Sequence, residues 1–433
     1  MKSTSFIFNL LVLCLTMLTD SSGQNDVYMR VQSEKYQPVY LYIKPLQSKD
    51  RPELARQLQN YIISDLEKTR FFKIILTPDP DKILLNDSAS TADFGGLQTI
   101  SQAYFEGQLE WSQNSVALRG TLQGLPERYL IFTQKYTSPQ ASIRWMAHRI
   151  ADDIVLQLTG QPGIASTQIL FINKSKNLAL MDTDGDNIRQ ITNNKSLNMS
   201  PCWSPAGDKV AFISYIKNNP ELIIMNLENK ETSKLSKQKA TYSSPIWSPD
   251  GKKIAFTLIK DGNSDIYVMD NQGNNLKRLT DNSSIDTSPS WSPTGREIAF
   301  TSDRSGSPQI YIMDSNGQNV HRLTYETNYS DSPVWSPKGE LVAFVAREKT
   351  GFHIYSIDVN GENLRCLTDG RGSNENPSWS PDGSKLTFAS NRNGNWNIYI
   401  INSDGSGLSQ ISTTGANTSP KWSPRLSREV AKG

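Results

Sequence analysis

Three histidines and three cysteines are the residues from which a metal centre or a nucleophilic site would be built, and their placement argues against both. His148 lies in a stretch of helical periodicity, His321 on an outer strand and His353 at the start of a third strand, so the three belong to unrelated parts of the chain. Each reads as a surface or packing residue. No Gly-x-Ser-x-Gly elbow supplies a nucleophile, and no glycine-rich loop cradles a phosphate. Asp182, Asp184, Gly185 and Asp186 open like a calcium loop, but position 193, where such a loop closes on a bidentate Glu, is Asn. Comparable turns recur at Asp270, Asp314, Asp358 and Asn402, each reaching a glycine three residues on, so a hairpin turn is the better reading. The sequence thus predicts no catalytic residue, no metal site and no cofactor, and a protein that is not an enzyme.

The chemistry that remains is polar recognition. Asn198, Tyr242, Asp286, Ser330 with Asp331, Asn374 with Glu375, and Asn417 stand just ahead of successive Ser-Pro or Asn-Pro steps, or one residue further back. If those steps line a channel, the polar residues gather at one mouth, with an acidic cluster to one side. They could be the walls of a hydrated pore, or a mouth that docks a protein loop or a cation. Tyr242, Asp286, Ser330, Asp331, Asn374 and Glu375 are the candidate partner-binding residues.

A repeat places them there. Tryptophan recurs at Trp203, Trp247, Trp291, Trp335, Trp379 and Trp422, each within Pro-x-Trp-Ser-Pro, at a spacing of 44 residues four times and then 43. That period is the length of a four-stranded propeller blade. In the third copy, runs of alternating apolar residues around Trp291, Ile298-Ala299-Phe300, Gln309–Met313 and Val320–Thr324 are separated by Gly and Asn turns, as a packed sheet requires. The chain enters the repeats at Gln168 without a tryptophan strand and leaves on Trp422 without the rest. The two fragments sum to one blade and predict an all-β, six-bladed propeller over 164–427, closed by pairing its first and last segments. The six tryptophans are read as wedges between blades. Cys202 falls on an inner strand and Cys366 on an outer one three repeats later, which predicts two unlinked thiols.

Residues 24–160 do not share the period. A strand at Pro38–Ile43, a helix over Arg51–Lys68, a strand at Phe71–Leu76, three further strands at Tyr104–Leu109, Val116–Leu122 and Tyr129–Lys135, and a helix over Gln140–Leu158 predict a mixed α/β domain. Ahead of it, Lys2 and the apolar run Phe6–Leu18 have the form of a cleaved signal peptide over 1–23, because about 13 apolar residues fall short of the roughly 20 that cross a membrane. The net charge of +2 and the lack of a basic stripe point away from nucleic acid.

Arg144-Trp145-Met146-Ala147-His148-Arg149-Ile150-Ala151-Asp152-Asp153-Ile154, then Leu158-Thr159-Gly160, ahead of six Trp-Ser-Pro repeats, resembles the TolB family of the Tol–Pal cell-envelope system. The resemblance covers essentially the whole chain. It implies a periplasmic, monomeric adaptor that binds the lipoprotein Pal on its propeller and the inner-membrane protein TolA through the mature N-terminus, supporting outer-membrane integrity and constriction at division. The TolA segment would include Val27, Tyr28, Met29, Arg30 and Val31. The chain departs from the family at Thr69-Arg70-Phe71-Phe72, where a glycine is usual. A periplasmic propeller that binds a small ligand or glycan is the other reading the residues allow.

Overall fold

Alternating apolar residues in each repeat are buried on both faces of a blade, so every repeat must pack against two neighbours. In the computed structural model, which describes residues 38–75, 102–125, 128–194, 196–216 and 219–426, six four-stranded antiparallel sheets meet this demand by closing into a ring. In one blade the strands are Asp286–Trp291, Glu297–Ser302, Gln309–Asp314 and His321–Arg322, from the channel outwards. Their core residues Ile298, Phe300 and Ile310 are fully buried. The sheet that closes the ring joins the strand Thr418–Trp422 to the strand Gln168–Ile172, with Trp422 opposite Ile169, so the last segment of the propeller completes the blade its first segment begins.

The tryptophans lie at blade boundaries. Trp203 packs with Leu170, Leu178 and Leu180 of the preceding blade as well as with Val210 and Phe212 of its own. Its indole N–H donates to the Lys421 carbonyl at 3.1 Å, and Trp379 donates likewise to Val334 at 3.1 Å. Trp422 instead reaches Thr167 Oγ1 at 2.7 Å.

Each inner strand is kinked at one residue. Ser200, Ser244, Ser288, Ser332, Asn376 and Ser419 all hold φ between +48° and +55°, and the pairing register slips at each of these points. Such a bulge bends the strand and turns its side chains towards the axis. At the outer hairpins the constraint is different. Gly317 has φ of +94°, and a Cβ there would lie 2.4 Å from the Leu279 carbonyl of the neighbouring blade, so only glycine fits.

Before the propeller, β1 (Val39–Ile43), α1 (Pro52–Lys68), β2 (Phe72–Ile75), β3 (Gln102–Trp111), β4 (Ser115–Leu125), β5 (Tyr129–Pro139) and α2 (Ile143–Thr159) form an α/β region. The sheet order is β2-β1-β3-β4-β5, parallel around β1 and antiparallel from β3 onwards. Leu58, Ile62 and Leu66 of α1 and Ala147, Ile150 and Ile154 of α2 pack with Leu41, Phe105 and Leu118 of the sheet in one core. Gly160, at φ +72°, ends α2 in a left-handed cap. The signal-peptide segment and Val27, Tyr28, Met29, Arg30 and Val31 lie outside the described residues.

Candidate functional site

Strand polarity divides the propeller into two faces. The inner strand of each blade starts at one face and ends, at its tryptophan, on the other. The turns between first and second strands and between third and fourth strands therefore share the second face, and the mouth residues named above share the first.

At the mouth, most of the polar residues serve the blades themselves. Asp286 is fully buried; its carboxylate accepts two hydrogen bonds from Arg304 at 3.0 and 3.1 Å and one from Asn282 at 2.9 Å. Asn374 is also fully buried, accepts from Arg392 at 2.8 Å and donates to the Phe352 carbonyl at 3.2 Å. Ser330 is held by Thr327, Tyr242 joins a hydrophobic cluster and accepts from the Gln238 N–H, and Asn198 bonds to Asn194 and the Lys176 carbonyl. Buried Asn417 donates to Thr414. The acidic cluster expected at the rim accordingly separates, because Arg304 neutralises Asp286 beneath the surface.

Asp331 and Glu375 remain, partly exposed, around a cavity of ≈ 110 Å³ with Tyr329, Val345 and Phe352. The Tyr329 and Phe352 rings stand 5.8 Å apart. Asp331 accepts from Thr301 Oγ1 at 2.8 Å and from the Ser332 N–H at 2.6 Å, which fixes its carboxylate. The Glu375 side chain makes no hydrogen bond or ion pair among the described residues. Burial and then the Asp331 charge push its carboxyl above the ordinary range. A carboxylate beside two aromatic rings, with a second carboxylate nearby and no ion pair of its own among the described residues, suits a basic side chain arriving from outside.

The opposite face meets the α/β region through a cluster that the spacing of the residues did not reveal. His148, expected to be a surface or packing residue, is 2% exposed and pairs with Asp65 of α1, Nδ1 to Oδ2 at 2.5 Å. Its Nε2 faces Asp182 of the closing blade at 3.7 Å, an ion pair without a hydrogen bond. Burial opposes the histidine's charge, but the flanking Asp182 and Asp65 carboxylates outweigh it and raise the pKa to about 10. One helical turn earlier, Arg144 binds Asp184, reaches Asp186 at 2.9 Å and Asp182 at 3.7 Å, and lies over the Tyr61 ring at 4.6 Å. Burial alone would raise the Asp184 carboxyl, yet His148 and Arg144 hold it below its usual value. The Asp182–Asp186 turn is thus a hairpin, with its amide of Gly185 bonded to the Asp182 carbonyl at 2.9 Å, and its carboxylates grip a helix. Asp152 of α2 adds a second tie, accepting from the Ala165 and Ser166 amides at 2.7 and 2.9 Å.

A family model described as the TolB beta propeller domain matches residues 155–373, just over half of the chain. The chain belongs to the TolB family. Among curated TolB relatives, a protein TolB homolog of Chlorobium chlorochromatii is 35% identical over 38% of this chain and 38% of its own length. A Tol-Pal system protein TolB of Syntrophotalea carbinolica is 32% identical over 47% of this chain and 49% of its own length. The matches therefore span less than half of these relatives. The crystal structure of TolB from Acinetobacter baumannii superposes with a TM-score of 0.75 at 26% identity, covering 89% of this chain and 97% of that one. That superposition spans both the α/β region and the propeller, and no helix among the described residues is long and apolar enough to cross a membrane.

Two signals in the sequence could have exposed the interface cluster. Arg144 and His148 are one helical turn apart on a helix whose other periodic residues are apolar, and the Asp182–Asp186 turn carries three carboxylates where equivalent turns carry one or two.

Proposed function

We propose that this TolB-family chain is a non-enzymatic periplasmic adaptor whose propeller mouth docks the lipoprotein Pal, seating a basic side chain against Asp331 and Glu375. The observation that carries this reading is Glu375, a partly buried carboxylate with no hydrogen-bond or ion-pair partner among the described residues, beside the Tyr329 and Phe352 rings. Aromatic rings flanked by fixed charge are the composition of a binding hot spot. Among the described residues the α/β region packs on the other face and none of its elements covers the mouth. Family resemblance supplies the second contact: TolA, bound through residues 24–35, whose exchange between free and body-packed states would be shifted when Pal binds. Together the two contacts would link inner and outer membranes and support envelope integrity and constriction during division.

Calorimetric titration of the full chain with purified Pal tests the docking mouth. Glu375→Gln with Asp331→Asn is expected to weaken binding at least tenfold without altering the fold; unchanged affinity would refute the mouth as the site. Deleting residues 24–35 should abolish TolA binding and leave Pal affinity measurable, and retained TolA binding would refute that segment's role.

A further inference from the structure

The channel beneath the mouth is a separate cavity of ≈ 110 Å³ walled by the inner strands of all six blades. The residue just before each tryptophan faces the next blade near this channel, and the repeat places Cys202, Ile246, Ser290, Val334, Ser378 and Lys421 there. Five carry no ionisable amine and one is a lysine. Ser290 and Ser378 use the position structurally, their hydroxyls accepting the amide N–H of Trp335 and Trp422 at 2.9 and 3.0 Å. An ammonium cannot accept, and Lys421 Nζ makes no hydrogen bond or ion pair among the described residues.

Among the described residues its surroundings supply no counter-charge, and burial pushes the pKa of the Lys421 ammonium down, so an anion beside it would restore the charge that burial disfavours. The thiol of Cys202, the group that faces it, is held neutral by burial, its pKa pushed up to about 12. Around the same cavity stand Ser200, Ser288, Ser332 and Ser419, all at the left-handed kinks, with hydroxyls that bond to no protein group among the described residues. An ammonium removed from bulk water needs an anion or several acceptors, and free hydroxyl donors add to what an anion gains there. We propose that the channel binds a small oxyanion, a carboxylate or a phosphate, paired with Lys421 and hydrogen-bonded by the serine ring. A metal cation in the same cavity would face the lysine charge unshielded.

Calorimetry of the full chain with sodium acetate and with sodium phosphate, at constant ionic strength set by chloride, separates the two sources. Saturable binding of either ion, weakened at least tenfold by Lys421→Ser, is the expected result. Serine is the residue two other blades already carry at this position, so the fold should tolerate it; Lys421→Met, which retains the apolar stem, repeats the test. Binding of neither ion, or equal binding in wild type and both variants, would overturn the proposal. Preference for acetate would assign the site to a carboxylate, including one borne on a partner's side chain, and preference for phosphate to the free ion.

Discussion

The two faces of the propeller treat charge in opposite ways. Where the α/β region docks, Asp65, Asp182, Asp184 and Asp186 converge on Arg144 and His148, and every carboxylate has a cation within 4 Å. At the mouth, Arg304 satisfies Asp286 below the surface, while among the described residues the Glu375 side chain above it forms no ion pair and Asp331 accepts from hydroxyl and amide donors. Internally neutralised charge builds the molecule. Charge left without an opposite is where the proposed docking site lies, and the difference between the faces yields measurable consequences.

The largest effect is expected at the docked face. Removing His148 leaves the buried Asp65 carboxylate, 4% exposed, with only the distant Lys68 ammonium at 4.0 Å, and breaking a buried pair from one side costs about 3–5 kcal/mol. His148→Ala should therefore lower denaturant stability by that order while Pal affinity of the folded protein stays unchanged; a loss below about 1 kcal/mol would show the cluster to be a surface contact. The same residue sets a pH dependence. Its folded pKa of about 10 lies above the roughly 6.5 of an unfolded histidine, so protonation favours the folded chain. That contribution is complete below about pH 6.5 and fades as the pH climbs towards about 10. Unfolding free energy measured across this window should fall with pH in the wild type and flatten in His148→Gln.

At the mouth the expected change is in binding rather than stability. A hydrogen bond to a charged group contributes about 1.5–3 kcal/mol, so Glu375→Gln should weaken Pal roughly ten- to a hundredfold, with stability moving by less than about 0.5 kcal/mol. Because the Glu375 carboxyl is raised, lowering the pH should neutralise it before ordinary carboxylates, and Pal affinity should decline earlier in the wild type than in Glu375→Gln. A parallel decline in both would move the pH sensitivity to another group.

The contrast between the faces also explains what could be read from the sequence. The propeller was legible because Trp203 to Trp422 recur at nearly constant spacing and because the strand around Trp422 lacks a partner that Gln168–Ile172 supplies. Placing Asp331 and Glu375 near a mouth followed from the same phase. Phase could not tell that Asp286 is buried under Arg304 while Glu375 stands open, since that depends on a loop arginine bending back 18 residues. The interface cluster was less accessible still: Asp65, His148 and Asp182 come from two helices and a blade, and only the packing of the α/β region on the ring brings them together.

The smallest effect should arise at Arg70, within the Thr69-Arg70-Phe71-Phe72 segment where the family resemblance implies a glycine. The backbone there has φ of +65°, a conformation glycine adopts freely, which accounts for the glycine that the family resemblance leads one to expect. Arginine is strained by about 1 kcal/mol in this region, and its side chain offers a return by crossing to the Asp404 turn of the propeller, donating to Ser406 at 2.8 Å and pairing with Asp404 at 3.5 Å. Both charged groups are about half exposed, so the pair contributes under about 1 kcal/mol and is screened by salt. The two terms nearly cancel. Arg70→Gly, which removes strain and pair together, should leave stability within about 0.5 kcal/mol of wild type, whereas Arg70→Ala retains the strain, loses the pair and should cost up to about 1 kcal/mol at low salt. Equal losses in the two variants would show that the backbone is not strained, and a large loss in Arg70→Gly would make this contact a true part of the docked face.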